Sequence, residues 1–161
     1  KQGNKYAQTS LGVCYLNGYG VPKDYKAAVN WFRLAAEQGD DIAQRKLGGC
    51  YLNGNGVAQD NMEAAKWFRL AAEQGDTESM HELAVLYYYG DDFPLDREEA
   101  LKLFMAAAEG GNADTQRVMG YFYENGIMVE RDIDKAKMWY SSAIESGCEE
   151  AIEYLNNLED E

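Results

Sequence analysis

Residues able to do chemistry are sparse in this chain, and their spacing argues against catalysis. His81 is the only histidine, so a histidine-rich metal site or a cysteine–histidine nucleophile pair is poorly supplied. His81-Glu82-Leu83-Ala84-Val85 resembles the opening of a zinc-protease helix, but Val85 stands where the second histidine ligand is needed. His81 therefore reads as an ordinary groove-facing or surface residue. Asp91-Asp92 with Asp96 gathers carboxylates on one loop without the alternating oxygen ligands of a calcium site. Glu82, Asp91 and Asp92 are the carboxylates a glycan or cell-wall hydrolase would use. That reaction needs two carboxyl groups held about 5–9.5 Å apart, which adjacent loop aspartates control poorly. Gly18-x-Gly20 and Gly54-x-Gly56 lack the third glycine, the preceding strand and the lysine of phosphate-binding loops, and read as turns. The expectation is no catalytic residue, no metal and no cofactor.

Charge excludes one class of partner. The net charge is −13, with −6 in residues 79–114 alone. Such a surface repels phosphate backbones, so nucleic acid is not expected as a partner, whereas a basic protein or peptide is compatible. No apolar run approaches the ~20 residues needed to span a bilayer, so no membrane insertion is expected in this segment. Cys14 and Cys50 occupy one position of successive repeats. Stacked helices lie roughly 8–10 Å apart, and a disulfide needs Cα atoms within about 7 Å. Leu86 and Phe122 follow at the same position, so both cysteines read as small core residues, and Cys148, beside Gly147, as a free thiol. Unbridged cysteines favour a cytoplasmic setting and leave a periplasmic or secreted parent open.

The elements that must position these residues come from a period of 36. Leu11, Gly12, Tyr15, Gly18, Gly20, Val21, Asp24, Ala28, Trp31 and Gly39 recur 36 residues on, and residues 7–42 and 43–78 are identical at 23 of 36 positions. Two more diverged copies follow at 79–114 and 115–150. A fixed period of this size marks a solenoid, in which no unit buries its apolar face alone. Gln2-Gly3 sits one period before Gln38-Gly39, so the chain is expected to open at the end of an earlier repeat of a longer protein. Residues 151–161 are expected to form a C-terminal cap with a polar outer face.

Within 43–78, Ala43, Leu47, Cys50 and Tyr51 fall on one helical stripe. Asn53-Gly54-Asn55-Gly56 breaks the helix, with Val57 tucked back into the core. Asp60 caps a second helix, and Glu63 is expected to complete a capping box, as Glu99 does for Asp96, while Asp24 and Asp132 keep only the cap. The second helix carries Ala64, Trp67, Phe68, Ala71 and Ala72 and ends at Gly75, suited to a left-handed C-cap. Gly12, Gly48, Ala84 and Gly120 are expected to let helices approach closely. Trp31, Trp67 and Trp139 read as core.

AQTSLGVCYLNGYGVPKDYKAAVNWFRLAAEQG and AQRKLGGCYLNGNGVAQDNMEAAKWFRLAAEQG resemble the Sel-1-like repeat family, a relative of the tetratricopeptide repeat. The pattern A-x-x-x-L-G-x-x-Y-x-x-G-x-G-V-x-x-D-x-x-K-A, then W-[YF]-x-x-A-A-x-x-G, covers nearly the whole chain. Repeat three departs at Ala84, Asp92 and Leu103, and repeat four at Met119 and Met128, so both later loops are expected to differ in shape. The resemblance implies an all-α fold: a right-handed α/α superhelix of four helix-turn-helix repeats plus a capping helix, with first helices lining the concave side. It also implies an adaptor role in protein quality control, bacterial signalling, surface biogenesis or host interaction. Cysteine-rich members clamp each repeat with a disulfide, a pattern missing here. Some such relatives are associated with penicillin binding, and no Ser-x-x-Lys motif supports that chemistry.

The first-helix positions that change between repeats are Thr9, Val13, Leu16 and Asn17; Arg45, Gly49, Leu52 and Asn53; His81, Val85, Tyr88 and Tyr89; Arg117, Tyr121, Glu124 and Asn125. Helix geometry puts them on one face. Asn17, Arg45, Asn53, His81, Val85, Tyr88, Tyr89, Arg117, Tyr121 and Asn125 form the expected surface for a protein or peptide partner. Tyrosine and arginine lead among binding hot spots. The competing reading is that Tyr88 or Tyr89 packs between repeats. The rival functions are an acidic-site hydrolase or glycan-binding protein and a structural spacer.

Overall fold

Asn4, Asp40, Asp76 and Asn112 lie 36 residues apart, and each accepts a backbone N–H through its side chain to cap the first helix of a repeat. Asp24, Asp60, Asp96 and Asp132 do the same for the second helices. A short polar side chain here satisfies one of the helix's orphan donors. The computed structural model describes residues 3–90 and 92–159. Among these the backbone forms nine α-helices and no strand: α1 Lys5–Asn17, α2 Tyr25–Ala36, α3 Asp41–Asn53, α4 Asn61–Ala72, α5 Thr77–Tyr89, α6 Arg97–Glu109, α7 Ala113–Asn125, α8 Ile133–Glu145 and α9 Ala151–Glu159. Each helix packs chiefly on the one before and the one after it, the connectivity of a solenoid. None is long and apolar enough to cross a membrane.

The capping boxes are half-formed. The backbone N–H of each cap aspartate donates instead to the carbonyl of the repeat's tyrosine: Asp24 to Tyr15, Asp60 to Tyr51, Asp96 to Tyr87 and Asp132 to Tyr123, at 2.9–3.0 Å. That bond ties the end of the first helix to the start of the second. With no N–H left to accept, Glu63 pairs with Lys66 and Glu99 with Lys102.

Inside each helix pair one aromatic ring is almost fully buried: Phe32, Phe68, Phe104 and Tyr140. It lies against the small residue of the first helix. A Cβ on Gly12, Gly48 or Gly120 would come within 2.5–2.8 Å of the ring, too close for carbon atoms, so glycine sets the approach as expected. Ala84 takes this place in repeat three and is fully buried. The tryptophans join the core only in part, Trp67 and Trp139 packing against it from its edge. Trp31, Trp67 and Trp139 are half-buried, because the inward direction on each second helix belongs to the next residue. Val57, Phe93 and Val129 pack into the core from their loops. Cys50 is buried, and desolvation pushes its thiol up to about 11. Cys14 is half-buried and Cys148 buried, and all three are free.

The later loops keep more of the repeat's shape than their residues suggest. Asp92 (φ 54°) and Met128 (φ 60°) hold the left-handed conformation that Gly20 and Gly56 adopt. Repeat three departs elsewhere, at Gly90, whose φ of −57° replaces the left-handed cap of Gly54.

Repeats are joined by paired polar contacts. Arg33 Nη2 donates to the Tyr51 hydroxyl at 3.0 Å, and Arg69 Nη2 to that of Tyr87 at 2.7 Å. Gln38 donates to Gln8, and Gln74 to Gln44, at 2.6 and 2.7 Å. At the C-terminal end α9 buries Ala151 and Leu158, and Tyr154 stacks on Tyr140 at 5.4 Å.

Gly20 and Gly56 separate backbone freedom from contact. Both have positive φ, but a Cβ on Gly20 meets nothing within 4 Å, whereas on Gly56 it falls 2.4 Å from the Tyr25 carbonyl oxygen of the preceding repeat. Gly20→Ala is expected to lower stability by about 1 kcal/mol through the left-handed conformation alone. Gly56→Ala should lose about 1–3 kcal/mol more through overpacking. Urea unfolding of both variants checks this, and equal losses would show that the loop does not press on the preceding repeat in solution.

Candidate protein-binding groove

The first-helix face is built from α1, α3, α5 and α7. One row of it, Thr9, Arg45, His81 and Arg117, reaches the start of the following repeat. Thr9 Oγ1 donates to the capping carboxylate of Asp40 at 2.9 Å. Arg45 Nε lies 3.2 Å from capping Asp76, and its Nη1 pairs with Glu78. His81 Nδ1 meets Thr115 Oγ1 at 2.8 Å. Thr115 gives its own proton to Asn112 Oδ1 at 2.6 Å, so His81 must be the donor through Nδ1–H. Arg117 sits 3.8 Å from Glu150, with its guanidinium over Tyr154. Three of the residues expected as anchors, Arg45, His81 and Arg117, thus stand at repeat junctions and already hold partners. The side chains of Arg45 and Arg117 retain 21% and 28% of their exposure.

Three further expected residues bond to their own helices. The amides of Asn17, Asn53 and Asn125 donate to the carbonyls of Val13, Gly49 and Tyr121 at 2.9–3.1 Å. Each closes the last turn of a first helix.

Two cavities open on this face between neighbouring first helices, beside a third between Arg117 and α9. One, of about 430 Å³, lies between α5 and α7 and is lined by His81, Val85, Tyr89, Arg117, Val118 and Tyr121 over a floor of Phe104 and Phe122. Tyr89 is 68% exposed and Tyr121 43%. Tyr88 is half-buried, tilted against Phe122 at 5.9 Å and edge-on to Phe104 at 6.5 Å, with Arg97 over its ring. It packs between repeats, whereas Tyr89 leans edge-on against it from outside, their centroids 4.1 Å apart.

The second cavity, of about 310 Å³, lies between α3 and α5, with Leu16 of α1, Leu52 and Phe68 as apolar walls and Arg45, Lys46, Glu78 and Glu82 as its charges. Arg45 lines this cavity and not the tyrosine one. Among the described residues no hydrogen bond or ion pair reaches the Glu82 carboxylate. Burial pushes its carboxyl above the usual range. Gly49 sits in the middle of α3, where a Cβ would meet nothing within 4 Å. Neither residue belonged to the expected anchors. Gly49 carries one signal in the sequence: Val13, Val85 and Tyr121 fill its position in the other repeats.

The two described carboxylates of the hydrolase reading, Glu82 and Asp92, do not converge. Glu82 lines the α3–α5 cavity, whereas Asp92 lines a separate one with Gln59, Asp60, Asn61 and Met62. Asp91 lies outside the described residues. A different group, Asp114, Cys148 and Glu150, brings its ligand atoms within 4.8 Å of one another. Sequence spacing could not show it, because its members come from α7 and the turn before α9. Its Glu150 already faces Arg117.

Stacked helix pairs, each presenting one varying face along a common groove, define an α-solenoid of the repeat-scaffold class. The sequence model of the Sel1 repeat matches residues 5–40, 41–76, 77–112 and 113–148, and the chain belongs to the Sel1 repeat family. Proteins of this family are generally interaction scaffolds, and the fold is typically non-enzymatic. A Sel1 repeat protein from Oxalobacter formigenes is 34% identical with a TM-score of 0.89 over 96% of this chain and 63% of its own. The chain therefore spans somewhat less than two thirds of that relative. A protective antigen of uropathogenic Escherichia coli with the same repeat fold is 33% identical over 99% of this chain and 42% of its own, with a TM-score of 0.51. A Sel1 repeat protein from Klebsiella pneumoniae shares the fold at 20% identity and a TM-score of 0.61, over 98% of this chain and 79% of its own. No curated protein sequence matches the chain.

Two outcomes follow from this geometry. Gly49→Ala should raise stability by about 1 kcal/mol, because alanine fits the space and glycine is the poorer helix former; an unchanged or lower unfolding midpoint contradicts the open environment. His81 is held neutral because burial lowers its pKa, against the pull of Asp114 and with the push of Arg117. The unfolded chain then binds the extra proton first, so stability is complete above the ordinary value near 6.5 and falls as pH drops from there toward the folded pKa. Urea unfolding between about pH 7 and pH 5.5 should show this loss. It should be smaller in His81→Gln, which keeps a donor for Thr115.

Proposed function

We propose that the chain is a non-enzymatic adaptor that holds a peptide segment or an element of another protein along its concave face, across α1, α3, α5 and α7. The observation that carries this reading is the pair of exposed rings, Tyr89 and Tyr121, at the edge of a 430 Å³ cavity with an aromatic floor. Exposed aromatics around a concavity are what a partner's apolar side chain can desolvate, and such residues supply most binding energy at interfaces. Val85, Arg117 and the edge of His81 complete this subsite, and Arg45 with Asn53 lines the neighbouring one. The net charge of −13 favours a basic partner.

Affinity capture from source-cell lysate, with wild type beside Tyr89→Ala and Tyr121→Ala, tests the reading. Each variant should weaken the captured partner's binding by about 2 kcal/mol while keeping its unfolding midpoint. Tyr88→Ala should instead lower stability, since its ring packs between repeats. If Tyr89→Ala and Tyr121→Ala both leave affinity unchanged, recognition lies on another surface or the segment is a spacer.

A further inference from the structure

Two residues of the α3–α5 cavity each oppose folding, and nothing in the fold requires either. Gly49 weakens the middle of a helix at a site where a side chain would fit. Glu82 is a half-buried carboxylate with no partner among the described residues, an arrangement that disfavours its charged form. Sites that bind are where proteins tolerate such costs. The two residues meet in one place. Gly49 leaves open the space that Val13, Val85 and Tyr121 occupy in the other repeats, and Glu82 borders the same 310 Å³ cavity.

Resting on the binding role proposed for this face, we infer that the cavity is a specificity subsite for one arginine or lysine side chain of the bound segment, its cation seated against Glu82. The walls suit such an occupant. Leu16, Leu52 and Phe68 line the cavity for an aliphatic stem. Of the four charges, Arg45 and Glu78 cancel in their own pair, and Lys46 forms no ion pair with Glu82 among the described residues. The Glu82 carboxylate is thus left to form charge-assisted hydrogen bonds with an incoming donor. An apolar side chain would bury that charge unpaired, and an acidic one would face it directly.

The test is selection from a displayed library of random nonapeptides by wild type, Glu82→Gln, Glu82→Lys, Gly49→Leu and Tyr121→Ala. Wild type should select peptides with arginine or lysine at one fixed position. A synthetic peptide from that pool should bind about tenfold or more weakly to Glu82→Gln, and norleucine in place of its basic residue should cause a similar loss. The two changes together should weaken binding little further, because they remove the same contact. Glu82→Lys should select an acidic residue there, and Gly49→Leu should block the subsite. Thermal unfolding separates recognition from misfolding. The charged form of Glu82 is the less stable one, so at pH 7 Glu82→Gln should melt higher than wild type, with the difference vanishing near pH 3. If peptides are selected and depend on Tyr121 but show no basic position, or a basic position indifferent to Glu82→Gln, the subsite is refuted and the adaptor reading stands. If wild type selects no peptide, both fail.

Discussion

The contact on which the solenoid depends is a ring seated on a bare stretch of helix backbone. Phe32, Phe68 and Tyr140 lie on Gly12, Gly48 and Gly120 so closely that one added carbon would overlap the ring. That contact sets the spacing within each helix pair, and the inward direction of the ring turns the neighbouring tryptophan to a half-buried place. Around it, the bond from each cap aspartate's N–H to the tyrosine carbonyl holds the turn. A side-chain contact and a backbone bond, repeated every 36 residues, keep successive helix pairs in the same relation.

Linking one repeat to the next consumes most of the polar residues on the first-helix face. Thr9, Arg45, His81 and Arg117 look from their variation like partner contacts, yet each satisfies a group at the start of the following repeat. Variation at these positions follows the changing partner: threonine meets aspartate, arginine a pair of carboxylates, and histidine a threonine that itself bonds asparagine. Tyr89, Tyr121, Gly49 and Glu82 are released from that duty and line the open cavities. Residues that join repeats and residues left open alternate along one surface.

The division has an energetic signature. Where the fold needs a residue, its donors and acceptors are matched, as in the chain from His81 through Thr115 to Asn112. Where the fold does not need it, a half-buried carboxylate stands alone and a glycine interrupts a helix with space around it. Departures from local consistency mark functional positions more sharply than composition does, because packing alone would remove them.

The period, the two helices per repeat, their caps and glycine ends and the small residue beneath the ring were all legible in the sequence, because each rests on contacts within a few residues or within one repeat. The all-α solenoid and its family follow from them. The half-formed capping boxes were not legible, since the N–H of Asp60 is taken by a carbonyl nine positions earlier that only the folded turn presents. Nor was the retained left-handed backbone at Asp92 and Met128, where the surrounding repeat overrides residue preference. Which residues share the first-helix face was legible, but which of them hold partners within the fold was not. Whether Tyr88 or Tyr89 points outward, whether Arg45 is free or paired, and whether Glu82 has a partner depend on side chains of other helices. Spacing along the chain places a residue on a helix face, and only the stacked neighbour determines whether that residue is left exposed.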